Sequence, residues 1–219
     1  MNELPTTQVI VLSPIQINRN GERAERADAA ANRQLILQAA ERLFAERGVE
    51  NVCMAEIAEA AGVGKGTLYR RYANKAELCL ALMDSQMQSF QDRLLGDFRR
   101  LTDRGVSYLE QLNHFFDELV DFTEIHSPLL VEVERAGLFG EGAPPSMPHF
   151  WQYMTIHALL RQAVRTGEIA NDLDLEYIGE ALLATLQVDV FRFQRTVRGF
   201  STARIQNGLR DMVRLLAAA

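Results

Sequence analysis

The stretch from Met54 to Lys75, MAEIAEAAGVGKGTLYRRYANK, constrains this chain more than any other. Met54, Ile57 and Ala58 recur at helical spacing, and Ala61 follows them. Gly62 stands where a helix can end on a left-handed residue, and Leu68 lies in a second short helical pattern. Two short helices joined by a tight glycine turn are the layout of a helix-turn-helix, whose second helix enters the major groove of DNA. The charges agree. Lys65, Arg70, Arg71 and Lys75 follow Gly62 with Tyr69 and Tyr72 interleaved and no acid among them.

That basic island stands out because the whole chain of 219 residues carries a formal net charge of −6. A protein that coats nucleic acid over its entire surface is thereby excluded, and any DNA contact belongs to one patch. An apolar fraction of 47% is enough for a substantial core. Cys53 and Cys79 have no C-x-x-C spacing, so they read as reduced thiols rather than as a zinc site or a disulfide. The apolar run Val9–Leu12 is too short for a signal peptide, and no window approaches the ~18 apolar residues of a membrane span. The expectation is a soluble, cytoplasmic protein.

Residues 1–28 read as a flexible tail, broken by Pro5, Pro14, Asn18, Asn20 and Gly21. Arg19, Arg23 and Arg26 resemble a basic arm for the minor groove, but Glu22 and Glu25 cancel part of their charge. From Ala29 to Arg47 the pattern is an amphipathic helix, with Ile36, Ala39, Ala40, Leu43 and Phe44 on one stripe. Gly48 ends it.

The run ILQAAERLFAERGVENVCMAEIAEAAGVGKGTLYRRYANKAEL, from Ile36 to Leu78, resembles the DNA-binding domain of the TetR family of transcriptional regulators (TetR/AcrR-like). The matching elements stand in order: Ala39-Ala40, Leu43-Phe44, Gly48, Ile57-Ala58, Ala61-Gly62-Val63, Leu68-Tyr69, the aromatic Tyr72, and Lys75 before Glu77-Leu78. The resemblance covers about a fifth of the chain and is dense. Leu35, Leu43, Phe44, Ile57, Val63 and Leu68 are expected to form the small core that sets the angle between three helices. Lys65, Gly66, Thr67, Tyr69, Arg70, Arg71, Tyr72 and Lys75 are the candidate DNA contacts, with the long cations suited to phosphates. Gly66 lets the backbone approach DNA at a cost of ~1 kcal/mol in helix propensity. Three positions depart from family habit. Cys53 and Gly64 replace the usual Ser or Thr caps, the former expected to weaken its cap by about 1 kcal/mol. Arg71 stands where Tyr or His is usual.

The expected architecture is all-α, with about nine helices in three parts. Residues 1–28 form the tail and 29–76 the helix-turn-helix domain, its motif at about 54–73. Residues 77–219 form a ligand-binding and dimerisation domain. Asn74 is placed to cap a long helix carrying Leu78, Leu82, Phe90, Leu94 and Leu101, with a bend near Gly96. Helices are expected over 106–126, from Pro128 to about Ala136, over 150–165, from the cap Asp172 to about Arg195, and over 202–216. The segment from Gly137 to Pro148 reads as a loop.

The apolar faces of the last two long helices imply a homodimer through Leu182, Leu186, Val190, Phe193, Leu209, Met212 and Leu216. Asp189 lies within this apolar run and is compatible with an interface or a pocket. Met87, Phe90, Phe116, Phe122, His126, Trp151, Met154 and His157 are candidates to line a pocket for a small, fairly apolar effector, as the resemblance implies. Nothing calls for a metal or cofactor: His149 and His157 are ~12 Å apart along a helix. No phosphate loop, serine elbow or paired-carboxylate motif points to an enzyme. The reading is therefore a dimeric regulator, a repressor released from a palindromic operator by its ligand. Its rival is an all-α small-molecule binding protein whose basic helix pair contacts an acidic protein.

Overall fold

The computed structural model describes residues 27–137 and 147–217. The tail, except for residues 27–28, and most of the 137–148 loop lie outside the described residues. Among these, nine α-helices occur and no strand. They are α1 (Ala27–Arg47), α2 (Met54–Ala60), α3 (Lys65–Arg71), α4 (Lys75–Asp103), α5 (Tyr108–Arg135), α6 (Met147–Arg165), α7 (Leu175–Ala184), α8 (Val188–Arg192) and α9 (Thr202–Ala217). A 3-10 turn, Val49–Asn51, precedes α2, and a π-helical turn, Phe193–Val197, follows α8.

The described residues separate into two compact units. Of the described residues, 27–88 with 125–137 make one and 89–124 with 147–217 make the other. Both α4 and α5 therefore contribute to each unit.

The first unit is built on Ile36, Ala40, Leu43, Phe44, Ile57, Leu68 and Leu78, joined by Leu129 and Val133 of α5. Its core thus recruits a segment some fifty residues beyond the helix-turn-helix. Leu35, expected in the core, is instead 48% exposed, and Ile36 beside it is fully buried. Asn74 caps α4 as anticipated: its Oδ1 accepts from the Glu77 amide at 2.9 Å, and Glu77 Oε2 accepts from the Ala73 amide at 2.8 Å.

In the second unit Phe90, Leu94, Leu112, Phe115, Phe116, Leu119, Trp151 and Leu160 are buried. The start of α5 is capped by Glu168, whose carboxylate accepts from the Tyr108 and Leu109 amides, each at 2.9 Å. Leu182, Leu183, Leu186, Phe191, Ile205, Leu209 and Val213 are buried here.

Two helix boundaries differ from the expected ones. No break occurs at Ser127-Pro128: α5 runs through Pro128. Buried side chains on either side of the proline, Leu119, Val120, Leu129 and Val133, hold the helix together despite the missing amide. Conversely, the helix expected from Asp172 to Arg195 is divided. Asp174, not Asp172, supplies the cap, accepting from the Tyr177 amide at 3.1 Å. The Thr185 hydroxyl donates to the Leu182 carbonyl at 2.8 Å, and the chain leaves the helix at Gln187 before restarting as α8. The bend expected near Gly96 does not interrupt α4, which is one helix of 29 residues.

Candidate nucleic-acid interface

The turn between α2 and α3 has the geometry its glycine demands. Gly62 adopts φ +66°. Its amide donates to the Glu59 carbonyl at 3.1 Å, and the Val63 amide donates to the Ala58 carbonyl at 3.0 Å. These are the two bonds of a Schellman ending, and they direct the chain straight into α3.

The start of α2 is held by more than its thiol cap. Glu56 Oε2 accepts from the Cys53 amide at 2.8 Å, while its other oxygen accepts from Arg47 Nη1 at 2.8 Å. The Cys53 amide, then the Arg47 guanidinium, holds the Glu56 carboxyl down at about 2, from an ordinary 4.5. Arg47 also donates to the Asn51 carbonyl at 2.9 Å, and Asn51 Nδ2 returns to the Arg47 carbonyl at 2.8 Å. A charge-assisted clasp thus supplies what Cys53 lacks as a cap.

Helix α3 buries Leu68 and turns the opposite side to solvent. Lys65, Gly66, Tyr69 and Arg70 are exposed, Tyr69 by 50%; Thr67 and Arg71 are half-buried. Lys65 and Tyr69 are four residues apart and share one face. A Cβ at Gly66 would meet nothing within 4 Å, so that edge of the helix is open. Lys65 and Arg70 are tied to no carboxylate among the described residues. The result is an exposed helix face of donors, one aromatic ring and no acid.

Two of the candidates lie elsewhere. Tyr72 is only 6% exposed and belongs to the core of the unit, so its ring supports α3 from beneath. Lys75 is turned inward. Its Nζ donates to the Val49 carbonyl at 2.8 Å and the Val52 carbonyl at 3.4 Å, and lies 3.7 Å from Glu132 Oε1. The neighbouring Cys79 is fully buried; desolvation, then the charge of Glu132, pushes its thiol up to about 12. Arg47, Glu56 and Glu132 carry this arrangement, and the sequence pattern assigns none of them this role. Arg47-to-Glu56 spans nine residues without helical spacing, and Glu132 lies far along the chain, so no local pattern marks them.

The candidates for an effector pocket fall into separate groups. Phe90 and Phe122 have ring centroids 4.5 Å apart, and Trp151 lies 6.1 Å from Phe90. Phe115 links Trp151, at 6.0 Å, to Phe116, at 5.8 Å. These form one aromatic cluster in the second unit. Trp151 is 1% exposed, and its Nε1 has no hydrogen-bond partner among the described residues. On the same helix, Met154 is half-buried and His157 stacks on Tyr153 at 5.8 Å. Met87 and His126 are buried but belong to the first unit.

The expected dimer residues also divide. Leu182, Leu186 and Leu209 are buried within the chain's own second unit, because the wide apolar face of each helix has an inner and an outer side. Val190, Phe193 and Met212 are exposed, Phe193 by 52%, and Leu216 is half-buried. Asp189 is exposed and pairs with Arg192 at 3.2 Å.

Residues 36–82 match the sequence pattern that defines the bacterial regulatory proteins of the tetR family. An HTH-type transcriptional regulator of Staphylococcus aureus is 30% identical over 184 residues, covering 84% of this chain and 93% of that protein. Among solved structures, Thermus thermophilus FadR, a TetR-family transcriptional repressor in complex with lauroyl-CoA, has a TM-score of 0.57 at 24% identity. That match covers 83% of this chain and 92% of the other. Bacillus subtilis FadR in complex with stearoyl-CoA has a TM-score of 0.53 at 19% identity, over 82% and 96% of the two chains. At these identities the two structural likenesses speak to fold. No helix among the described residues is long and apolar enough to cross a membrane.

Proposed function

The chain belongs to the TetR family of DNA-binding transcription regulators, and from that premise we propose that it is a homodimeric repressor whose two copies of α3 read a palindromic operator. The observation that carries this reading is the outward face of α3, with Lys65, Gly66, Thr67, Tyr69, Arg70 and Arg71 and no acid. Lys65 opens the helix, where side chains reach base edges; Arg70 and Arg71 close it, where long cations meet phosphates. Tyr72 and Lys75 stand outside the contact set for the reasons of burial and bonding given above.

Val190, Phe193 and Val197 are exposed at spacings of three and four along α8 and the π turn, and Met212 and Leu215 are exposed on α9. Apolar side chains left outward on consecutive elements support a second copy as their partner. The effector is a small molecule with an apolar body and a hydrogen-bond acceptor. The aromatic cluster of the second unit supports the body, and the unpartnered Trp151 N–H supports the acceptor. Because solved proteins of this fold hold lauroyl-CoA and stearoyl-CoA, acyl compounds are the first class to test. By binding one conformation better than the other, such a ligand lowers DNA affinity.

The test is selection of duplexes from a random pool, followed by footprinting. Protection of a two-fold site by wild type, relieved by an acyl ligand and lost in Tyr69→Ala, supports the reading. Absence of any selected duplex contradicts it. Trp151 is the one tryptophan of the chain, so its fluorescence reports ligand entry directly.

A further inference from the structure

We propose that Lys75 is a positioning residue for DNA recognition, not a phosphate ligand, and that Glu132 is its partner in that role. The inference rests on the DNA-binding reading above. A protonated lysine has three N–H donors and no acceptor. Here three acceptors surround the ammonium: the Val49 carbonyl at 2.8 Å, the Val52 carbonyl at 3.4 Å and Glu132 Oε1 at 3.7 Å. The Lys75 side chain is 20% exposed and that of Glu132 21%. A lysine so engaged would have to break these contacts in a half-buried site before it could turn to a phosphate.

What the ammonium holds is the connection between two helices. Val49 begins the 3-10 turn and Val52 ends it, and Cys53, the cap of α2, comes next. Lys75 is the first residue of α4, four positions after the end of α3. The helix-turn-helix is thus clamped at both ends by one side chain: its entry through the two carbonyls, its exit through the lysine backbone. Glu132 adds a third element, because it sits on the part of α5 that packs Leu129 and Val133 into the same core. Removing the clamp should loosen the angle at which α3 meets DNA and leave its cations in place.

Positioning and phosphate contact predict different salt dependence. Each phosphate neutralised contributes about 0.9 to the slope of log affinity against log salt. The experiment measures binding of wild type, Lys75→Met, Lys75→Arg and Glu132→Gln to the duplex that wild type selects from a random pool, and to a scrambled duplex, across salt. Positioning predicts that Lys75→Met loses specificity on the order of tenfold, a small part of the ~10³–10⁷ separating specific from non-specific binding. Scrambled-duplex affinity and the salt slope stay at wild-type values, Glu132→Gln moves the same way, and Lys75→Arg restores part of the ratio. A slope reduced by about 0.9 in Lys75→Met, with both duplexes weakened alike, overturns the inference. If Lys75→Met lacks the helical circular dichroism of the wild type, Glu132→Gln decides: an unchanged specificity ratio overturns it. A wild type that selects no duplex would instead defeat the DNA-binding reading.

Discussion

Helix α3 and the interhelical ion pairs of the second unit use their cations differently. In the second unit three arginines are tied to carboxylates on neighbouring helices: Arg93 to Glu118 at 2.9 Å, Arg195 to Glu124 through Nε at 2.8 Å, and Arg210 to Asp117. Within the first unit the same device appears around α2, in Arg47 with Glu56 and Lys75 with Glu132. On α3 it stops. Lys65 and Arg70 point outward from a segment that has no acid between Gly62 and Lys75. In a chain of net charge −6, self-pairing is easily available, so an acid-free cationic face marks a surface kept for a polyanion.

Substitutions can break this contrast from either side. The largest effect is expected in the packed unit. Phe116 is fully buried, and Phe116→Ala should cost about 3–5 kcal/mol in denaturant unfolding. Tyr69→Ala should leave stability within about 0.5 kcal/mol while removing roughly 1–3 kcal/mol of operator binding, measured by titration at fixed salt. Gly66→Ala sharpens the point, because the two properties should move in opposite directions. The added methyl has open space in the free protein and should stabilise α3 by about 0.5–1 kcal/mol, yet it stands where DNA approaches and should weaken binding. Arg210→Ala breaks a surface pair and should cost less than about 1 kcal/mol, with operator affinity unchanged.

The smallest expected effect concerns pH. Glu56 is held at about 2, below its ordinary 4.5, so its contribution to stability is complete above about 4.5 and is lost as pH falls toward 2. The stability difference between wild type and Glu56→Gln should therefore shrink over that window in acid unfolding curves, and stay constant from pH 5 to 7.

Much of this was legible in the sequence where the signal is local. Gly62 in a left-handed conformation, Asn74 as a cap and the burial of Ile57 and Leu68 follow from spacing and residue type over a few positions. The failures share another cause. Pro128 and the apolar run from Asp172 to Arg195 misled in opposite ways, because packing overrides a proline when both flanks are buried, and a hydroxyl such as that of Thr185 can help end a helix that periodicity would continue. The expected count of about nine helices held only because one merger offset one division. At the interface, Tyr72 and Lys75 share the motif's basic and aromatic character, yet one is core and the other is a clamp. The partners of Lys75, the Val49 carbonyl and Glu132, are 26 and 57 positions away. No pattern of spacing within the motif reports such contacts. Of the dimer candidates, Leu182, Leu186 and Leu209 are taken up by the chain's own core, because a helix apolar on more than one side does not say which side a neighbour in the same chain will take.

The most direct test of the central claim compares the salt dependence of operator binding in Lys65→Ala/Arg70→Ala and in Arg210→Ala. If the acid-free face of α3 meets phosphates, the double variant loses up to about 1.8 from the slope of log affinity against log salt, while Arg210→Ala keeps the wild-type slope. A double variant that binds the operator with wild-type slope and affinity would contradict the account.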